Sequence, residues 1–231
     1  MKLVANNITL KKEKFTLKTS SFSITKGELV IIIGRSGSGK SSLLKVLSGL
    51  EKPTTGVVCR PKSLSYVAQD ASLLPWLTVK ENILLPYKIK GIGGPDLDKL
   101  WDDMDEVLSK LRLKNMLEMK PETLSGGMSQ RVIVAQALCN KPDVLLLDEA
   151  LSAVDQKHKY EIVEWLREYA KKQQLVVVLV THDLLEALTI ADKIFVLSPD
   201  GKLGTAHLVQ DAERMAGTNI STIHSSLWQK L

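Results

Sequence analysis

Hydrophobic and polar positions alternate at the start of the chain. Phe15-Thr16-Leu17-Lys18 and Phe22-Ser23-Ile24 put an apolar side chain at every second position, the period of a strand with one buried face. Lys26-Gly27-Glu28 reads as a turn, after which Leu29 to Ile33 is apolar throughout. From there the pattern predicts a strand at 29–33, a helix at 40–50, a strand at 64–68, a strand at Val144–Leu147, a helix at about 156–172, a strand at Leu175–Val180, a helix at 183–191 and a strand at Ile194–Leu197. Strands alternating with helices imply an α/β fold whose mostly parallel sheet is covered on both faces, preceded by an antiparallel β part. Leu175 to Val180 is too uniformly apolar for a half-exposed strand and belongs at the centre of the sheet.

Residues of about 71–142 interrupt this order. They contain Pro75, Pro86, Gly91, Gly93, Gly94 and Pro95, followed by helical patterns at Leu97–Leu113 and Gln130–Leu138, and are expected to form an inserted α-helical subdomain. Residues of about 202–231 are weakly periodic and read as a short C-terminal extension of a single domain spanning 1–231. No internal repeat or low-complexity tract is present.

Composition narrows the picture. With 231 residues, 44% hydrophobic and 25% charged, the chain can bury one large core. The net charge of +5 is scattered, and its only dense block is Lys11-Lys12-Glu13-Lys14, so it describes a solvated surface and no nucleic-acid partner is expected. Cys59 and Cys139 lack metal-type spacing and read as buried or free thiols in a reducing cytosol. No apolar run approaches the roughly 20 residues of a membrane span, so any membrane role is peripheral.

The candidate chemistry starts where the first buried strand ends. Gly34-Arg35-Ser36-Gly37-Ser38-Gly39-Lys40-Ser41 lies between that strand and a helical pattern beginning Ser42-Leu43-Leu44, the context a phosphate loop requires. Glycines let backbone N–H groups turn inward around a polyphosphate, the helix start adds its positive dipole end, Lys40 can reach the outer phosphates, and Ser41 offers a hydroxyl to Mg2+. A plain strand-to-helix turn would need neither the lysine nor the hydroxyl. Val144 to Leu147 runs into Asp148-Glu149, placing two carboxylates at the strand's C-terminal end, where Asp148 can hold magnesium and Glu149 can polarise a water aimed at a γ-phosphate. Between these motifs, Leu124-Ser125-Gly126-Gly127 precedes the helical pattern Val132-Ile133-Val134-Ala135, with Ser125 resembling a helix cap and the glycines freeing N–H groups for a second phosphate contact.

With these motifs in this order, residues 1 to about 200 resemble the ATP-binding cassette family, whose Leu-Ser-Gly-Gly signature stands at 124–127. The resemblance implies a P-loop NTPase core that binds ATP and Mg2+. It also implies that Gln69 contacts magnesium and the attacking water, that His182 touches the γ-phosphate, and that Asp155 helps to pair two subunits, although a plain cap on the helix starting at Gln156 explains Asp155 equally well. One subunit's signature completes another's site. Each site is then expected to combine residues 34–42, Gln69, Asp148, Glu149 and His182 of one chain with Ser125, Gly126 and Gly127 of a second cassette, expected to be a copy, and to close on ATP and reset on hydrolysis. Phe15 is the only nearby aromatic for stacking adenine, but packing in the strand core is the stronger claim on it. Gln136 stands where the family commonly has arginine and Ala150 where it has proline; Met128 and Ser129 vary the signature's polar tail.

Ser72-Leu73-Leu74-Pro75-Trp76-Leu77-Thr78-Val79-Lys80-Glu81-Asn82-Ile83 and Thr181-His182-Asp183-Leu184-Leu185-Glu186-Ala187-Leu188 resemble bacterial importer ATPases of the nitrate, sulfonate and taurine type. That implies an ATPase subunit on the cytoplasmic face of the inner or plasma membrane, driving a separate integral permease, with a substrate-binding protein as a further partner. Leu74–Leu77 is then a candidate docking patch, unless Trp76 and Leu77 pack inside the insertion. An exporter or lipid-transport ATPase shares every motif, and a non-transport ATPase acting on nucleic acid or ribosomes remains an alternative.

Overall fold

A computed structural model describes residues 2–13, 15–92 and 94–209. Five strands form the parallel centre of the sheet: β4 (Leu29–Gly34), β6 (Leu64–Val67), β7 (Val144–Asp148), β8 (Val176–Thr181) and β9 (Lys193–Leu197), side by side in the order β9-β4-β8-β7-β6. The first, β4, is central, and every one of its residues is buried.

Alternating side chains along these strands enter two different cores. Ile31, Ile33, Leu145, Leu147, Val177 and Leu179 pack against α5 (Gly126–Cys139), α6 (Gln156–Gln173) and α7 (Leu184–Ile190). Val30, Ile32, Leu146, Val178 and Val180 pack against α1 (Lys40–Ser48) and the N-terminal strands. Both faces are covered, which is why β4 has no polar side chain and why β7 and β8 carry one only at their last residue. Helix α1 ends where Gly49, at φ 83°, turns the chain out of the helix, two residues before the expected end.

The antiparallel part contains β1 (Lys2–Lys12), β2 (Phe15–Thr19) and β3 (Phe22–Thr25), as the alternation predicts. Short strands also join it from elsewhere: β5 (Thr55–Cys59) pairs with β1, β10 (Lys202–Leu203) bridges β2 to β9, and β11 (His207–Leu208) pairs with β9. Lys202–Leu203 and His207–Leu208, expected as part of an extension, therefore belong to the sheet; positions 210–231 lie outside the described residues.

Between β6 and β7 the structure is helical, with differences from expectation. The pattern at 97–113 breaks into α3 (Pro95–Asp102) and α4 (Asp105–Lys110). Helix α2 (Val79–Ile89) forms despite Pro86 in its interior. Its start is fixed by a capping box: Thr78 Oγ1 accepts from the Glu81 N–H at 3.2 Å, and Glu81 Oε2 accepts from the Thr78 N–H at 2.8 Å. Pro86 has no N–H for the Asn82 carbonyl, and Gln136 on α5 supplies the missing donor, with Nε2 at 2.6 Å. The fully buried Asn82 side chain in turn bonds the Leu74 N–H and the carbonyls of Leu74, Leu77 and Thr78, holding the 74–78 loop in one shape.

Candidate nucleotide site

Strand β4 ends at Gly34, and α1 begins at Lys40, so residues 35–39 form a loop over the helix start. A Cβ on Gly34 would meet the Leu197 carbonyl at 2.6 Å and Ser38 Oγ at 2.7 Å; only glycine lets the chain turn there. Gly39, at φ 99°, hands the chain to the helix in a left-handed conformation. Lys40 is buried, and its Nζ donates to the carbonyls of Gly34 and Arg35, each at 2.8 Å. Burial lowers its pKa, and the charges of Glu149 and Asp148 work against that shift. Ser38 Oγ is buried without a hydrogen-bond partner, whereas Arg35, Ser36 and Gly37 are exposed and Gly37 faces open space. Ser41 and Ser42 lie half-buried on the first turn of α1, and Ser42 Oγ accepts from Lys12 Nζ at 3.3 Å.

Opposite this loop, Asp148 closes β7 and is 2% exposed. Tyr66 on the neighbouring β6 donates to its Oδ2 at 3.1 Å, while Oδ1 has no partner. Burial, followed by the adjoining carboxylate, raises the pKa of the Tyr66 phenol. Glu149 has φ 49°, a left-handed backbone that glutamate rarely adopts and that turns its side chain away from the direction Asp148 takes. Gln69 Nε2 donates to Glu149 Oε2 at 3.2 Å, and His182 Nδ1 lies 4.0 Å from Glu149 Oε1. Gln69 follows β6 and His182 follows β8, so parallel pairing brings all these groups to one edge of the sheet.

Ser125, Gly126 and Gly127 are elsewhere. Ser125 caps α5, its Oγ accepting from the Met128 N–H at 3.2 Å, and Met128 Sδ returns the bond to the Ser125 N–H at 3.4 Å, the place a glutamate takes in a capping box. Among the described residues no hydrogen bond joins 125–127 to the loop at 34–42. The start of α5 instead holds the loop after β7: a Cβ on Gly127 would lie 2.7 Å from the Ala153 carbonyl, and Gln130 bonds Ser152 Oγ at 3.1 Å and the Ala153 N–H at 2.7 Å. Asp155 caps α6 through the His158 N–H.

Two contacts escape sequence reasoning. The Tyr66 bond to Asp148 depends on which strand lies beside β7. Phe15 lies over the loop at 35–39, where a Cβ on Gly39 would be 2.1 Å from its ring, and is half-buried against the strand core. Trp76 is 68% exposed, Pro75 is exposed, and Leu74 and Leu77 are half-buried, which removes the reading that Trp76 packs inside.

The family model described as ABC transporter matches residues 17–152. The chain belongs to this family. Among curated relatives of this ABC protein, the nitrate import ATP-binding protein of Synechocystis sp. is 38% identical over 200 residues, covering 81% of this chain and 29% of its own length. An aliphatic sulfonates import ATP-binding protein of Shouchella clausii is 39% identical over 183 residues, covering 78% of this chain and 70% of its own. The chain thus spans less than a third of the nitrate relative. Among solved structures, the dimeric bacterial ABC transporter cassette MJ0796 matches with TM-score 0.77 and 30% identity, covering 91% of this chain and 99% of that one; the same cassette is also known in a post-hydrolysis state with ADP and Pi.

The donor set fits Mg2+ carried by a nucleotide. Among the described residues there is no cluster of three His, Cys, Asp or Glu side chains to cage a metal. Asp148, a buried carboxylate with one oxygen left without a partner, suits an ion whose other ligands are phosphates and water.

Proposed function

We propose that this chain, a single nucleotide-binding domain over residues 1–231 with a helical insertion at about 71–142, is the ATP-hydrolysing subunit of a membrane importer. The observation that carries the reading is Glu149, bracketed by Gln69 and His182 at the sheet edge that also carries Lys40 and Asp148. The loop N–H groups of 34–42 and Lys40 bind the phosphates, and Lys40 leaves its two carbonyl partners to do so. Ser41, Asp148 and Gln69 would hold Mg2+, which would neutralise the charge developing on the phosphate oxygens. Glu149 accepts a proton from the attacking water, which Gln69 helps to orient, and His182 donates a hydrogen bond to the γ-phosphate.

Ser125, Gly126 and Gly127 lie outside this cluster and serve the site of a second copy, so ATP closes a dimer and hydrolysis reopens it. The dimeric cassette at 30% identity supports that arrangement. The import relatives favour import over export and over a role on nucleic acid or ribosomes, and they support an integral permease as partner, with a substrate-binding protein as a further one. No helix among the described residues is long and apolar enough to cross a membrane, which fits peripheral association at the cytoplasmic face of the inner or plasma membrane. Exposed Trp76, on a loop held from below by Asn82, is the proposed permease contact.

The deciding experiment is a pull-down of the Glu149→Gln chain with ATP from native membranes, read by mass spectrometry. Co-purification of an integral permease is expected. Recovery of only soluble protein or nucleic acid would overturn the transport reading.

A further inference from the structure

Arg112, in the turn after α4, has φ 55°, a left-handed conformation in which a side chain is disfavoured and glycine is not. Its guanidinium reaches across to α6, pairing with Glu161 at 2.9 Å and touching His158 Nε2. His158 Nδ1 lies 2.5 Å from Asp155 Oδ2. Arginine carries only donors, so Nε2 must accept, leaving the ring proton on Nδ1 for the carboxylate. Three side chains, Arg112, His158 and Asp155, thus run in line from the helical insertion to the residue that caps α6, with Glu161 as a side branch from Arg112. The hydrogen bond from His158 is the chief reason the Asp155 carboxyl is held below its ordinary value.

The same turn is held by the helix that carries the signature. Arg131 Nη1 donates to the Leu111 carbonyl at 2.9 Å and its Nε to the Gly127 carbonyl at 3.4 Å. Gln130, one residue earlier, clamps residues 152–153. Residues 152–158 are therefore fastened at both ends: directly to α5 by Gln130, and at Asp155 through His158, Arg112 and the turn that Arg131 holds. Arg112 and Glu161 are 54% and 45% exposed, and ion pairs this exposed contribute little to folding. They do not offset the backbone strain at Arg112, so their consequence is positional.

We propose that Arg112 and His158 form a latch that keeps Asp155 and the loop before it in register with Ser125–Gly127, so that the face offered to a second copy of this chain is assembled before ATP arrives. His158 is a positioning residue in this scheme and touches no nucleotide. The inference rests on the ATP-dependent pairing proposed above.

Sedimentation of the Glu149→Gln chain with ATP tests it, with Arg112→Gly, His158→Ala and both together added to that background. Each single change should weaken the ATP-dependent dimer about tenfold, with the double no weaker than either single, because they break one chain of contacts. The melting temperature of the nucleotide-free Arg112→Gly monomer should hold or rise, since glycine relieves the strain. Additive losses, undiminished dimerisation, or a lowered melting temperature with dimerisation intact would each overturn the latch and leave ATP pairing standing. If the Glu149→Gln parent itself stays monomeric with ATP, the pairing reading falls and the latch with it.

Discussion

Lys40 and Glu149 carry the most at the scale of single residues, for different reasons. Lys40 is buried and already bonded to two carbonyls, so it costs little to redirect towards phosphate and much to lose. Lys40→Ala should weaken ATP binding by at least about tenfold, the size of one charge-assisted bond, as read by equilibrium binding of a fluorescent ATP analogue. Glu149→Gln preserves shape and removes the proposed base; ATP affinity should persist while single-turnover hydrolysis drops by about 10²–10⁴-fold. Tyr66 fixes one oxygen of Asp148 and leaves the other free. Tyr66→Phe should raise the Mg2+ concentration needed for half-maximal nucleotide binding about tenfold, measured by titrating Mg2+ in a binding assay, as expected for a group that orients a metal ligand. The placing of Lys40, Asp148 and Glu149 near one another was legible in the sequence, because each stands at or directly after the end of a buried strand or at the helix start that follows one. Tyr66 was not, because nothing in Ser65-Tyr66-Val67 tells which strand it will face.

At the scale of elements, α2 shows how a local rule can be overridden from a distance. Pro86 argues against a helix, since it removes a donor and leaves a carbonyl unpaired. The Thr78–Glu81 capping box argues for one, and Gln136 decides the matter by bonding the abandoned Asn82 carbonyl. Gln136 departs from the arginine common at this place in the family, and its bond to α2 is what it does here. Gln136→Ala should destabilise the chain by about 1–3 kcal/mol in urea unfolding, the cost of an unpaired buried acceptor. In a Pro86→Ala background, where a backbone N–H is restored, the same change should cost clearly less; equal costs in both backgrounds would show that the pairing is incidental. The boundaries of α1, α6 and α7 followed from periodicity within about two residues because apolar spacing and caps lie within each segment. The break between α3 and α4 did not, since the apolar spacing continues across it.

At the scale of the whole molecule, the candidate nucleotide site and the proposed permease contact lie on different parts of the fold. The nucleotide edge belongs to the parallel sheet, while Trp76 projects from a loop whose shape Asn82 sets from α2, and α2 is joined to the signature helix by Gln136. Movement of α5 on pairing therefore has a bonded route to the proposed permease contact. Trp76→Glu should leave ATP hydrolysis by the isolated chain within about twofold, as for an exposed change away from the site. It should abolish transport-coupled hydrolysis in proteoliposomes containing the permease; stimulation equal to that of the unmodified chain would place the contact elsewhere.

The amino-acid sequence by itself determined the two-sided burial of the central strands, the phosphate loop, the acidic strand end and the signature, because each depends on residue type at short spacing. Tertiary structure alone decided what meets across long separations: Tyr66 against Asp148, Phe15 over Gly39, Gln136 beneath Pro86, and Arg112 on His158. It also decided that β10 and β11 are strands at all, since segments of two residues form only when an existing edge offers them partners. Pairing between distant segments follows from how the layers close, and closure is a property of the complete chain.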